Sequence, residues 1–291
     1  MSFKGTFTAL ITPFDKNGKI DFNCLNALVE NQIQAGIDGI VPVGTTGESP
    51  TLNTSEHLKV ISEVVKIANG RCKIIAGTGA NSTAEAIELT QSAKSFGIDG
   101  TLQVTPYYNK PNDMGLIQHF SKIADIGVPV VLYNVPGRTS KEISLSVIKE
   151  LSKHENIISI KEASGSIKNV KSIKEQCSIE ILSGDDVLAV PMIKSGAQGV
   201  ISVASNIIPS TVCKMINFAL NGDFSLSEKI HNTYEELFNN LFIDTNPIPI
   251  KTAASFLGLT SEIFRLPLYS MSDDKKKILF DTMKKIGVLD G

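Results

Sequence analysis

The tetrapeptide Gly36-Ile37-Asp38-Gly39 returns with the same four letters at Gly97-Ile98-Asp99-Gly100, and Gly196-Ala197-Gln198-Gly199 resembles both. Each copy follows a segment with helical spacing and precedes a short apolar run. The first glycine suits the left-handed residue that ends a helix. The apolar run suits a strand buried on both faces. A helix-to-strand junction that recurs marks a repeating unit, here of roughly 25 residues, and successive strand–helix units give a parallel sheet with right-handed crossovers.

Working outward from these junctions, apolar runs fall at 6–11, 39–43, 73–77, 100–104, 129–133, 157–161, 179–183 and 199–203. Helical patterns lie between and after them, at 23–34, 55–68, 83–96, 114–126, 144–151, 167–176, 186–195 and 209–220. Ser82-Thr83-Ala84-Glu85 carries a Ser-x-x-Glu capping box, Thr54 with His57 is a weaker cap, and Gly127 stops a further helix. Eight units are the count for a closed (β/α)8 TIM barrel. A doubly wound sheet would show fewer strands and a phosphate loop. Beyond the eighth helix, helical patterns at 226–241, 247–257 and 272–285 form an all-helical tail. The expected organisation is a barrel over 1–221 with a C-terminal helical appendage over 222–291 packed on it.

Composition narrows the function. The chain has 291 residues, 42% hydrophobic and 20% charged, with a net charge of −2. That balance gives no electrostatic case for nucleic acid or an anionic membrane. No apolar run reaches the roughly 18 residues a membrane span needs, and the N-terminus lacks the layout of a signal peptide. Cys24, Cys72, Cys177 and Cys213 are scattered and read as reduced thiols of a cytoplasmic protein. His57, His119, His154 and His231 form no ligand spacing, so no metal is expected, and neither GxxxxGK[ST] nor a strand-borne GxGxxG supports a nucleotide.

Barrel active sites are built at the carboxyl ends of the strands. There stand Gly44-Thr45-Thr46-Gly47-Glu48-Ser49 after strand two and Thr105-Pro106-Tyr107-Tyr108-Asn109-Lys110-Pro111 after strand four. Strand five leads into Tyr133-Asn134-Val135-Pro136-Gly137-Arg138-Thr139, strand six ends in Lys161, and strand seven in Ser183-Gly184-Asp185-Asp186. Three of the five tyrosines and one of the three arginines fall at these ends. Lys161, closing a β-branched strand, stands where water is scarce; it is a candidate amine nucleophile, or a lysine that snorkels out or pairs with Glu162. Tyrosine and threonine hydroxyls relay protons, and an arginine fork matches a carboxylate. Each of these alone has a plain reading: a turn, a rim contact, a surface ion pair. Asp185-Asp186 reads as charge at a helix N-terminus. Their placement on one barrel face suggests a carbonyl substrate bearing a carboxylate.

On these segments, with Lys161-Glu162-Ala163-Ser164, the chain resembles the dihydrodipicolinate synthases of the pyruvate-dependent class I aldolase superfamily. The Gly-x-x-Gly-Glu, tyrosine and lysine parts mark only the superfamily. Tyr-Asn-x-Pro-x-Arg-Thr is narrower, because the sialic-acid lyases usually lack that arginine. The resemblance implies an imine between Lys161 and pyruvate, with no other cofactor, and condensation with L-aspartate 4-semialdehyde. It implies a relay of Tyr133, Thr45 and Tyr108, the last reaching into a neighbouring subunit of a homotetramer built as a dimer of dimers. Thr46, Gly184 and the carbonyl of Ile201 would bind pyruvate, and Arg138 the semialdehyde carboxylate. Positions matching a lysine-inhibition cleft are Ser49, Pro50, Thr54, His57, Asn81, Glu85 and Tyr107. Pro50 and Thr54 depart from the inhibited pattern, which implies weak or absent inhibition. The competing readings are a sialic-acid-type or keto-sugar-acid aldolase, sharing Lys161 and Tyr133, and a non-catalytic binding barrel.

Overall fold

The computed structural model describes residues 2–289; Met1, Asp290 and Gly291, the outer ends of the two expected regions, lie outside them. Eight parallel strands, β1 (Gly5–Ala9), β2 (Gly39–Val41), β3 (Lys73–Gly77), β4 (Gly100–Val104), β5 (Val130–Asn134), β6 (Ile157–Glu162), β7 (Glu180–Ser183) and β8 (Gly199–Ser202), close into a barrel in chain order. The helices between them are α1 (Phe22–Gln34), α2 (Thr54–Ala68), α3 (Thr83–Lys94), α4 (Asp113–Ala124), the single turn α5 (Pro136–Thr139), α6 (Leu145–Leu151), α7 (Ile167–Gln176) and α8 (Ala189–Lys194). Then follow α9 (Pro209–Leu220), α10 (Phe224–Asn240), α11 (Ile248–Phe256) and α12 (Asp273–Lys285). No helix among the described residues is long and apolar enough to cross a membrane.

The recurring junction does the same work each time. Gly36, Gly97 and Gly196 take φ of 81°, 87° and 110°, the left-handed turn that a Cβ opposes. Two residues on, the side chain reaches back to the preceding strand: Thr6 N donates to Asp38 Oδ2 and Ile74 N to Asp99 Oδ2, each at 2.8 Å. At the third copy Ile181 N donates to Gln198 Oε1, also at 2.8 Å. Glutamine, one methylene longer, serves in place of aspartate. The closing glycines clear the barrel floor. A Cβ on Gly39 would stand 2.4 Å from the Phe7 ring, and one on Gly100 2.5 Å from Phe3. Phe3 and Phe7 meet edge to face at 5.9 Å in that space. With Ala9, Val41, Ile75, Leu102, Val131, Leu182 and Ile201 they pack the interior. The larger core lies between the strands and the helical ring.

Three helix starts differ from expectation, α2 among them, where Asn53 and not Thr54 is the N-cap. Ser82 is the N-cap of α3 but its hydroxyl makes no capping bond, and the neighbouring Thr83 hydroxyl bonds His119 Nδ1 instead. A full capping box stands one helix earlier, between Asn53 and Glu56. α8 begins at Ala189, not 186, so Asp185 and Asp186 are not charges in its first turn.

Candidate active site

Strand alternation decides what faces the barrel. On β6, Lys161 points inward beside its register partners Tyr133 and Leu182, while Glu162 points outward. Lys161 is 5% exposed and its Nζ lies 4.4 Å from the centre of the Tyr133 ring. Tyr133 is itself buried, its carbonyl accepting from Thr105 N at 3.1 Å and Thr105 Oγ1 at 2.9 Å. Glu162 does not pair with Lys161. Its carboxylate accepts from Asn134 Nδ2 at 2.9 Å and Ser164 N at 2.8 Å on the far side of the strand. Burial pushes the pKa of its carboxyl above the usual carboxylate range, against the pull of the Asn134 and Ser164 bonds.

Above Lys161 two spaces share walls. A recess of about 60 Å³ is lined by Thr46, Tyr133, Lys161, Gly184, Asp185 and Asn246. A cleft of about 200 Å³ beside it is lined by Thr45, Ser49, Pro50, Tyr107 and Tyr133. Arg138, on α5, borders both, and its Nη2 donates to the Asn246 carbonyl at 3.0 Å. Thr46 Oγ1 accepts from Asn246 Nδ2 at 3.0 Å. Ile201 is wholly buried on β8, paired with Phe7 at the barrel wall. Tyr108 is 91% exposed with φ +69° and lines neither space. The mouth is also where the backbone is most constrained: Val43, Glu48, Tyr108, Lys110 and Ser140 all hold positive φ without being glycine.

The pair Asp185-Asp186, read from sequence as helix charge, belongs to this site. Asp186 is wholly enclosed, and its Oδ2 accepts from Val203 N and Ala204 N, each at 2.9 Å, fixing the turn after β8. Burial raises the pKa of both carboxyls; the nearby Lys161 charge pulls Asp185 back down, and hydrogen bonds from Ser202, Ala204 and Val203 do the same for Asp186. The tail is a second surprise. Asn246 and the α11 residue Lys251 come down onto the β2 loop, Lys251 pairing with Glu48 at 2.5 Å with both side chains fully buried. The one sequence signal for this is a lone lysine in the apolar run Ile248-Pro249-Ile250-Lys251-Thr252-Ala253-Ala254.

Of the positions matched to a regulatory cleft, Ser49, Pro50 and Tyr107 line the larger space, and burial with the Glu85 charge raises the pKa of the Tyr107 phenol. His57 is buried, with Nε2 2.7 Å from the Gly77 carbonyl, and burial lowers its basicity. Asn81 lends its carbonyl to Asn109 Nδ2 at 2.8 Å. Among the described residues, no three His, Cys, Asp or Glu side chains gather as metal ligands would.

A parallel (β/α)8 barrel with a buried amine beside a tyrosine at its carboxyl end, and an arginine at the lip, has the fold and site of a barrel lyase. Residues 2–286 match the model of the Dihydrodipicolinate synthetase family, and the chain belongs to that family. It is 46% identical to the 4-hydroxy-tetrahydrodipicolinate synthase of Pelobacter propionicus over 99% of this chain and 100% of that one. Its structure superposes on dihydrodipicolinate synthase from Aquifex aeolicus with a TM-score of 0.97, at 46% identity over 98% and 99% of the two chains. The chloride-inhibited synthase of Acinetobacter baumannii, solved with pyruvate, matches with the same TM-score at 42% identity, over 99% and 100%.

Proposed function

We infer that the protein condenses pyruvate with L-aspartate 4-semialdehyde to 4-hydroxy-tetrahydrodipicolinate, the entry to lysine and diaminopimelate. One observation carries the reading: Lys161 Nζ is buried in a recess shared with Tyr133 and bordered by Arg138, in a chain whose relatives are named for this reaction. The amine adds to the keto carbon of pyruvate and water leaves, giving a protonated imine. That cation draws electrons from the methyl carbon, which loses a proton to become an enamine. The enamine carbon attacks the aldehyde carbon, and the resulting alkoxide takes a proton. The substrate's own amine then attacks the imine carbon, closing the ring and returning Lys161 as free amine. The imine is the only electron sink these steps need.

Tyr133 and Thr45 move the protons, and Thr46, Gly184 and the Ile201 carbonyl hold pyruvate. Arg138 grips the carboxylate of the semialdehyde. Tyr108 completes the relay in a second subunit of a homotetramer arranged as paired dimers, which accounts for a tyrosine left 91% exposed in its own chain. Incubation with pyruvate and borohydride, followed by peptide mass analysis, tests the first step. The expected result is a reduced pyruvyl adduct on Lys161, absent from Lys161→Ala; no adduct on the wild type refutes the reading. A coupled assay of aspartate semialdehyde against N-acetylneuraminate then separates a synthase from a sugar-acid aldolase.

A further inference from the structure

The ion pair between Glu48 and Lys251 takes no step in this chemistry, yet it is built into the loop that carries Thr45 and Thr46. Both side chains are 0% exposed. Lys251 Nζ sits 4.1 Å from the centre of the Phe14 ring and 5.4 Å from Phe264. The second carboxylate oxygen of Glu48 faces Arg265 N at 3.4 Å, and Arg265 forks onto Glu56 with two bonds of 2.7 Å. Burial pushes the Lys251 ammonium down, and Glu48 opposes it. A buried ion pair is commonly no more stabilising than apolar side chains of the same volume. Stability therefore does not account for this one. What a short charged contact does supply is a fixed distance between two segments.

Glu48 holds φ +57°, a conformation that disfavours any residue with a Cβ and that aims its side chain at α11. Its N–H donates to the Thr45 carbonyl at 3.1 Å, and Gly47 N donates to the Gly44 carbonyl at 3.1 Å. The Thr45–Thr46 turn is thus tied through its backbone to Glu48 and through the Thr46 hydroxyl to Asn246. Both ties end within residues 246–251 of the tail.

We propose that Glu48 and Lys251 are positioning residues, a buried latch by which the C-terminal helices hold the Thr45 and Thr46 hydroxyls in register with Lys161 and Tyr133. The inference rests on the reading that Lys161 forms the imine and that Thr45 relays protons. The test compares Lys251→Met with the double variant Glu48→Gln/Lys251→Met. The single change strands a buried charge and lowers the melting temperature; the double change removes both charges and restores most of it. Expected in both is a kcat about 10- to 100-fold below wild type, the scale of a hydroxyl displaced by a fraction of an ångström to an ångström. Pyruvate still traps on Lys161. Recovery of kcat in step with the melting temperature overturns the proposal, because a purely structural pair would behave so. Should the double variant fail to accumulate as folded protein, Glu48→Met/Lys251→Met, which replaces both charges by apolar side chains of similar length, decides in its place; an unchanged kcat there overturns the proposal as well. Failure of the wild type to trap pyruvate strikes the assigned reaction, not the latch.

Discussion

Replacing Arg138 separates the two substrates. One of its guanidinium nitrogens is engaged by the Asn246 carbonyl at 3.0 Å, leaving the rest of the fork for a ligand. A carboxylate held by two charge-assisted hydrogen bonds at a rim open to water gains about 1.5 kcal/mol from each, the lower end of the usual range. Arg138→Ala therefore forfeits about 3 kcal/mol of transition-state binding, or about a hundredfold in kcat/KM for aspartate semialdehyde. Arg138→Lys keeps the charge but not the fork and regains about half of that, a loss of roughly tenfold. Pyruvate meets Lys161 deeper in the recess, so its KM should stay within about twofold and borohydride trapping should proceed at the wild-type extent. A coupled assay varying each substrate in turn, run beside the trapping experiment, reads both quantities. Loss of trapping in Arg138→Ala, or equal damage to the two substrates, refutes the assignment of Arg138 to the semialdehyde.

Three further outcomes follow from particular contacts. Asn246→Ala removes the donor to the Thr46 hydroxyl but keeps the backbone carbonyl that meets Arg138; an effect of about 1–2 kcal/mol, near tenfold, is expected on pyruvate turnover, with the semialdehyde KM unmoved in steady-state assays. His119 is buried, and burial lowers its pKa from 6.5 to about 4, so the folded protein holds it neutral. The unfolded chain binds its proton first, so this stability is complete above pH 6.5 and is lost as pH falls toward 4. At pH 5 the loss is about 2 kcal/mol, so the wild-type melting temperature should fall about 3–4 °C further than that of His119→Gln between pH 8 and pH 5. Parallel curves would contradict it; His57 and His231, shifted the same way, are common to both proteins. Lysine should inhibit weakly or not at all, because Pro50 and Thr54 break the inhibited pattern. Half-inhibition at submillimolar lysine in the coupled assay would reverse that.

The barrel is legible in the sequence because each junction satisfies its needs locally. Gly36, Asp38 and Gly39 meet a turn, a neighbouring strand's amide and a ring one strand away, so the same letters recur wherever the same junction recurs. Lys161, Tyr133, Thr45 and Arg138 follow from counting strands, since each stands at or just past a strand end. Asp185-Asp186 marks where that reasoning stops. Two acids before a helical pattern look like dipole charge, and only the crossing of β8 shows that Asp186 serves the amides of Val203 and Ala204 instead. The tail lies further beyond reach. Asn246 and Lys251 meet partners 200 and 203 residues away, and no periodicity encodes a pairing at that separation. A lysine alone in an apolar helix implies that a buried anion exists, because an unpaired charge there is too costly to keep. Which anion it is depends on how the last helices fold back over the barrel mouth. A region that reads from sequence as an appendage is thereby part of what shapes the site.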